Sequence, residues 1–213
     1  MTASRSGISD LLGRAPVIPV IVIEDEAAAV PLARALVEGG LPVLEVTLRT
    51  QYALASIKRI AEEVPEAVVG AGTVLTPADV AASVAAGSQF LVSPGSTPTL
   101  LDAILDSGAA PLPAAATASE VMGLIERGLT HGKFFPAVPA GGIAYLKALA
   151  GPLPDFSFCP TGGISLSNAA DFLALPNVVC VGGSWVTPRD AMSAGDWDSI
   201  EKLARQAAAL TRS

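Results

Sequence analysis

Strand-like apolar runs alternate with helix-like runs from near the start of this chain to its end, and that alternation constrains the fold more than anything else. Eight runs read as strands: 17–23, 43–49, 67–73, 90–94, 110–114, 131–136, 156–163 and 178–185. Between them, apolar residues recur at helical spacing. In the first intervening segment Ala29, Leu32, Ala33, Leu36 and Val37 line one face before Gly39-Gly40 stops the helix. Further helices are expected over 52–64, from Thr76-Pro77, from Thr97-Pro98, from Thr117, over 141–150, over 165–175 and over 196–210. Thr76-Pro77 and Thr97-Pro98 each place a hydroxyl cap before a proline at the first helical position, and Thr117-Ala-Ser-Glu120 is a capping box. Strands that alternate with helices imply a parallel sheet. Eight such units without a linker predict one domain over residues 1–213, a closed (β/α)8 TIM barrel. An open doubly wound sheet is the other architecture, but no glycine-rich turn follows the first strand as its dinucleotide-binding form requires.

Composition narrows the function classes. The 213 residues are 51% hydrophobic and only 15% charged, a balance that allows part of the surface to be covered in an oligomer. A net charge of −7 without a basic cluster argues against nucleic acid, while a local basic pocket for a small anion stays open. No run is apolar and long enough to span a bilayer, and the first ten residues lack the apolar region of a signal peptide. Cys159 and Cys180 lie in apolar strand-like runs and read as buried thiols of a cytoplasmic protein. One histidine and two cysteines are too few for a soft-metal centre.

The candidate chemistry centres on His131-Gly-Lys-Phe-Phe-Pro136. Three of the four lysines (Lys58, Lys147, Lys202) fall in helix-like segments; Lys133 alone falls in a strand, beside two phenylalanines. Apolar surroundings disfavour an ammonium, and a free amine can attack a carbonyl to form a Schiff base. The plainer reading is a lysine that pairs with a carboxylate. In the second strand Glu45, Thr47 and Arg49 share one face, which is out of place in a strand that a barrel should bury on both sides. A buried Glu45–Arg49 pair, or a pair of either residue with Lys133, would also account for them.

In a barrel, chemistry belongs at the C-terminal ends of the strands. There the third strand ends in Gly70-Ala-Gly-Thr73, the fourth in Ser93-Pro-Gly95, the seventh in Thr161-Gly-Gly163 and the eighth in Gly182-Gly-Ser184. Paired glycines beside hydroxyls after the last two strands match the usual phosphate site of such barrels, where backbone N–H groups cradle an anion. His131 reads as structural, and Trp185 and Trp197 as packing.

Taken together, Leu44-Glu-Val-Thr-Leu-Arg49, Gly70-Ala-Gly-Thr73, Ser93-Pro-Gly95, Lys133-Phe-Phe-Pro136, Pro160-Thr-Gly-Gly163 and Gly182-Gly-Ser-Trp185 resemble the class I 2-keto-3-deoxy-6-phosphogluconate aldolases over nearly the whole chain. The resemblance implies a homotrimer of (β/α)8 barrels that cleaves 2-keto-3-deoxy-6-phosphogluconate to pyruvate and glyceraldehyde 3-phosphate without a cofactor. It implies Lys133 as the Schiff-base lysine and Glu45 as the carboxylate that moves protons. Arg49 and Thr73 would hold the pyruvyl carboxylate, with Thr161 near the same part of the substrate. Gly162, Gly163 and Ser184 would bind the phosphate, and Pro94 and Phe135 would shape the pocket. Two other activities remain: cleavage of 2-keto-4-hydroxyglutarate, which some family members also perform, and a non-catalytic phosphate-binding barrel. Departures from the family pattern fall at Ala114-Ala-Ala116, where the family has a glycine after the second proline, and at Val138-Pro139. They bear on loop shape and substrate range, not on the lysine chemistry.

Overall fold

The computed structural model describes residues 7–211; the first six residues of the segment read for a leader lie outside it. It is an α/β structure of eight parallel strands. Six form one sheet in the order β5 (Ala110–Leu112), β4 (Phe90–Val92), β3 (Val68–Gly72), β2 (Val43–Thr47), β1 (Val17–Ile21) and β8 (Val181–Gly183). The other two, β6 (His131–Phe134) and β7 (Ser157–Pro160), pair with each other. Isolated parallel bridges, Ala114 to Lys133 and Thr161 to Gly182, lie between the two sheets. The parallel TIM-like arrangement follows from the alternation in the sequence, because a parallel pair needs a crossover long enough to hold a helix.

Those crossovers are α2 (Ala29–Glu38), α3 (Ala53–Glu63), α4 (Pro77–Ala85), α5 (Pro98–Asp106), α6 (Ala118–Glu126), α7 (Gly142–Ala150) and α8 (Ala169–Leu173), with α9 (Arg189–Ala194) and α10 (Trp197–Ala208) after β8. The expected caps are present. Thr76 and Thr117 form capping boxes with Asp79 and Glu120, and the Thr97 hydroxyl accepts from the Leu100 N–H. Each satisfies backbone donors that the first turn leaves without partners.

Alternation along the strands splits the core in two. Val17, Ile21, Leu44, Val46, Val69, Ala71 and Leu91 face the helices. Ile18, Val43, Val68, Phe90, Val92, Leu112, Cys159 and Cys180 form a smaller inner cluster, joined by Ile8 and Leu12 from α1 (Gly7–Gly13). Phe90 fits the inner cluster only because residue 70 is glycine; a Cβ there would collide with the Phe90 ring. Both cysteines are buried and neither forms a disulfide. Among the described residues no helix is long and apolar enough to cross a membrane.

Several elements differ from the sequence expectation. The ladders are shorter than the apolar runs, because the strand ends bend away to carry loops: β2 stops at Thr47, and Arg49 donates its N–H to the Thr47 carbonyl in a turn. Arg49 therefore does not share the Glu45–Thr47 strand face. The helix expected over 165–175 is regular only at Ala169–Leu173, because a turn held by Asn168 occupies its start. Helices α1 and α9 were not expected; at 7 and 6 residues they are too short for a periodic signal. Tertiary contact holds α1 in place, with Ile8 and Leu12 buried in the inner cluster.

Two glycines give opposite expectations for stability. Gly70→Ala drives a methyl into Phe90 and should cost about 2 kcal/mol in urea unfolding. Gly123→Ala, in the interior of α6 with open space around it, should be stabilising by about 0.5–1 kcal/mol. A loss at both sites would show that the inner packing is not what distinguishes them. His131, at the start of β6, is held below its ordinary pKa of 6.5 by burial. The fold thus favours its neutral form. This contribution is complete above the unfolded value of about 6.5 and is lost as pH falls through the lower folded value. The decline in Tm from pH 7 to pH 5 should accordingly be shallower in His131→Gln.

Candidate active site

Two ionisable side chains from different sheets of the fold meet between the strands. Glu45 lies in the middle of β2 and Lys133 in β6, 88 positions apart in sequence. Their side chains are almost fully buried, and Lys133 Nζ donates to Glu45 Oε1 at 2.9 Å and to Oε2 at 3.2 Å. Of the pairings that the sequence allowed, the fold selects Glu45 with Lys133 and leaves Arg49 out.

Backbone bonds on both sides hold the lysine. Its N–H donates to the Pro113 carbonyl at 3.0 Å, its carbonyl accepts from Ala115 at 2.9 Å, and it lies in register with Cys159 of β7. Its ammonium sits 5.5 Å from the centre of the half-buried Phe135 ring, so the residue expected to shape the pocket does border the amine. Phe134 points the other way. It stacks on Tyr145 and meets Phe158 edge-on in the outer core. Only one of the two phenylalanines is therefore part of the lysine's setting.

The Glu45 carboxylate occupies space that glycine provides. A Cβ at residue 72 would collide with Oε1 and crowd the Glu45 Cγ at 2.6 Å. The glycine run at the end of β3 was legible in the sequence, but its purpose was not: Gly70 admits Phe90 and Gly72 admits the carboxylate. Thr47, on the same strand face as Glu45, has a structural task. Its hydroxyl donates to the Ile21 carbonyl at 2.9 Å and braces β2 against β1.

Arg49, which is exposed, and Thr73 come together at the ends of β2 and β3. Arg49 Nε donates to Thr73 Oγ1 at 3.1 Å. Thr73 has a φ of 59°, the one described non-glycine residue in the left-handed region. That conformation costs a β-branched residue free energy and fits a threonine held for its hydroxyl.

The glycine-rich ends of β7 and β8 are also adjacent. Thr161 is buried, and a Cβ on Gly182 would collide with its hydroxyl. Gly162 and Gly163 follow with φ of 103° and 78°, and Ser184 is exposed at the end of β8. Pro94 is half-buried at the end of β4. Ser93, fully buried, has no hydrogen-bond partner for its hydroxyl among the described residues.

A cavity of about 1260 Å³ opens elsewhere, lined by residues of α1, α5 and α6 and by Gln89, Ala110 and Pro111 at the N-terminal ends of β4 and β5. It contains none of the residues above, and its charged pair, Arg127 with Asp102, is partly exposed. Among the described residues no group of three or more His, Cys, Asp or Glu side chains could hold a metal ion.

This geometry agrees with similarity to known proteins. The family model for KDPG and KHG aldolases matches residues 8–203. The chain is 54% identical over 200 residues to the 2-dehydro-3-deoxy-phosphogluconate aldolase of Pseudoalteromonas atlantica, covering 94% of this chain and 93% of that protein. It is 51% identical over 203 residues to the KHG/KDPG aldolase of Escherichia coli K12, covering 95% of each. Among solved structures, the KDPG aldolase of Zymomonas mobilis with 3-phosphoglycerate superposes with a TM-score of 0.93 at 47% identity, covering 99% of both chains. The KDPG aldolase of Legionella pneumophila, with pyruvate captured at low pH as a covalent carbinolamine intermediate, gives 0.92 at 45% identity over 94% of this chain and 98% of that one. By its sequence over nearly its whole length, the chain belongs to the KDPG and KHG aldolase family.

Proposed function

We propose that this protein is a class I aldolase that cleaves 2-keto-3-deoxy-6-phosphogluconate to pyruvate and glyceraldehyde 3-phosphate through an imine on Lys133. The observation that carries the reading is the buried Lys133–Glu45 contact of 2.9 Å. Burying a salt bridge is seldom worth its desolvation for stability alone. An amine beside a proton acceptor is the arrangement that covalent catalysis at a ketone requires.

Glu45 takes a proton from Lys133, the free amine adds to the C2 ketone of the substrate to give a carbinolamine, and Glu45 returns that proton to the departing hydroxyl, which leaves as water and gives a protonated imine. The carbinolamine with pyruvate in the Legionella pneumophila relative is the species that precedes this loss. Glu45 takes the proton of the C4 hydroxyl, directly or through water. The electrons of the C3–C4 bond then move into the imine, and the aldehyde departs. Glu45 returns the proton to C3 of the resulting enamine, and hydrolysis releases pyruvate and the amine. The imine is the electron sink, so these steps call on no metal or other cofactor.

In this reading Arg49 and Thr73 hold the substrate carboxylate and Thr161 lies close to it. Pro94 and Phe135 bound the pocket. Gly162, Gly163 and Ser184 take the phosphate, as backbone N–H groups at strand ends commonly do. The eight strands close as a (β/α)8 barrel in one domain, a reading supported by the bridges that Ala114 and Thr161 make across the gaps between the sheets. The working form is a cytoplasmic homotrimer, and exposed apolar side chains such as Leu75 and Met122 provide surface for its contacts. A second activity, cleavage of 2-keto-4-hydroxyglutarate, is favoured by the name of the Escherichia coli relative, which covers both substrates. A non-catalytic phosphate binder would leave the Lys133–Glu45 pair without a purpose.

Borohydride reduction in the presence of pyruvate, followed by peptide mass mapping, should place the adduct on Lys133. An adduct on Lys58, Lys147 or Lys202, or none, would overturn the mechanism. Lys133→Ala should lose essentially all turnover. Glu45→Gln should lower kcat by about 10²–10⁴-fold while pyruvate can still be trapped. Gly72→Ala, which displaces the carboxylate without removing it, should reduce kcat with little change in KM; retention of full kcat would mean that Glu45 need not sit where it does.

A further inference from the structure

The turn after β7 is made of residues that would be loose by themselves, since both Gly162 and Gly163 adopt positive φ. Other parts of the fold take hold of its three successive carbonyls. Ala137 N–H donates to Thr161 O at 2.8 Å, and Val138 N–H donates to Gly162 O at 3.0 Å. Asn168 Nδ2 donates to Gly163 O at 3.0 Å, while its Oδ1 accepts from the Ser165 N–H at 2.9 Å. The Val138 side chain also lies against Gly163, where an added Cβ would stand 2.7 Å from Val138 Cβ.

A trans peptide points its C=O and the following N–H in opposite directions. Fixing the carbonyls of residues 161, 162 and 163 therefore fixes the N–H groups of Gly162, Gly163 and Ile164. Of these, the Gly162 N–H faces the Gly182 carbonyl in the Thr161–Gly182 bridge, while the Gly163 and Ile164 N–H groups donate to no backbone acceptor among the described residues. Successive N–H groups left in this way form a concave donor site suited to an anion. Asn168 is suited to its place because a primary amide carries a donor and an acceptor together, and so spans a carbonyl and an N–H two residues apart.

We infer that Asn168 is a positioning residue for the phosphate end of the substrate, with Val138 as its counterpart on the turn that follows the lysine strand. Val138 holds the Gly162–Gly163 peptide and Asn168 the Gly163–Ile164 peptide in the orientation that binds phosphate, and so the two set how strongly the site prefers a phosphorylated substrate. Asn168 does not touch the substrate. The inference rests on the assignment of phosphate to Gly162, Gly163 and Ser184 given above.

The test uses the full-length protein and three readouts: KM for 2-keto-3-deoxy-6-phosphogluconate, inhibition by inorganic phosphate, and borohydride trapping with pyruvate, which has no phosphate. In Asn168→Ala the KM should rise about tenfold and phosphate inhibition should weaken by a similar factor, with pyruvate trapping within about twofold of the parent. Val138→Ala keeps its backbone bond and should show the same pattern at about threefold; it also serves if Asn168→Ala does not fold. An unchanged KM, or a fall in pyruvate trapping by the same factor, overturns the inference. Ser184→Asp, which sets a carboxylate against the anion, separates the two levels. If it weakens phosphate inhibition and Asn168→Ala does not, the role of Asn168 fails alone. If Ser184→Asp leaves phosphate inhibition intact, the phosphate assignment fails with it.

Discussion

An amine and a carboxylate buried between parallel strands make the demand that the rest of this structure meets. Removing both charges from water is costly, and their mutual attraction recovers that cost only with close geometry. Lys133 and Glu45 have that geometry, with two contacts of 2.9 and 3.2 Å. Removing either partner would leave the other charged, buried and unpaired. The strands must therefore hold β2 and β6 at a fixed separation. They do so through side-chain and backbone bonds: Thr47 ties β2 to β1, and Pro113 and Ala115 grip Lys133 from the β5 side.

Glycine sets the shape of the interior more than the large residues do. At residues 70, 72 and 182 a single added carbon would meet Phe90, Glu45 or Thr161. Each absent side chain makes room for a specific neighbour. The glycines at residues 162 and 163 act differently, through backbone conformation. One residue type thus serves two physical purposes: space beside the Glu45 carboxylate, and positive φ in the turn after β7.

The two parts of the proposed site are structures of different kinds. The lysine part is built from side chains on strands, whose positions the ladder determines. The turn after β7, to which the proposal gives the phosphate, presents backbone and has outside support from Ala137, Val138 and Asn168. Two of these three follow the Lys133 strand, so the segment that carries the buried amine also braces that turn.

The sequence by itself determined the alternation of strands and helices, the caps at Thr76, Thr97 and Thr117, and the isolation of Lys133 in an apolar strand, because these depend on local periodicity and on hydrogen bonds within one turn. The motifs around Glu45, Lys133 and Gly162-Gly163 carried the family resemblance for the same reason. Only the tertiary structure decided which of Arg49 and Lys133 would pair with Glu45, since that depends on where β2 ends and which strand lies across from it. It also decided that Thr47 braces a neighbouring strand, that Phe134 turns away from the amine, that α1 packs beneath the inner core and that Gly72 makes room for a carboxylate. Each of these depends on distances between residues far apart in the chain, which no local pattern encodes.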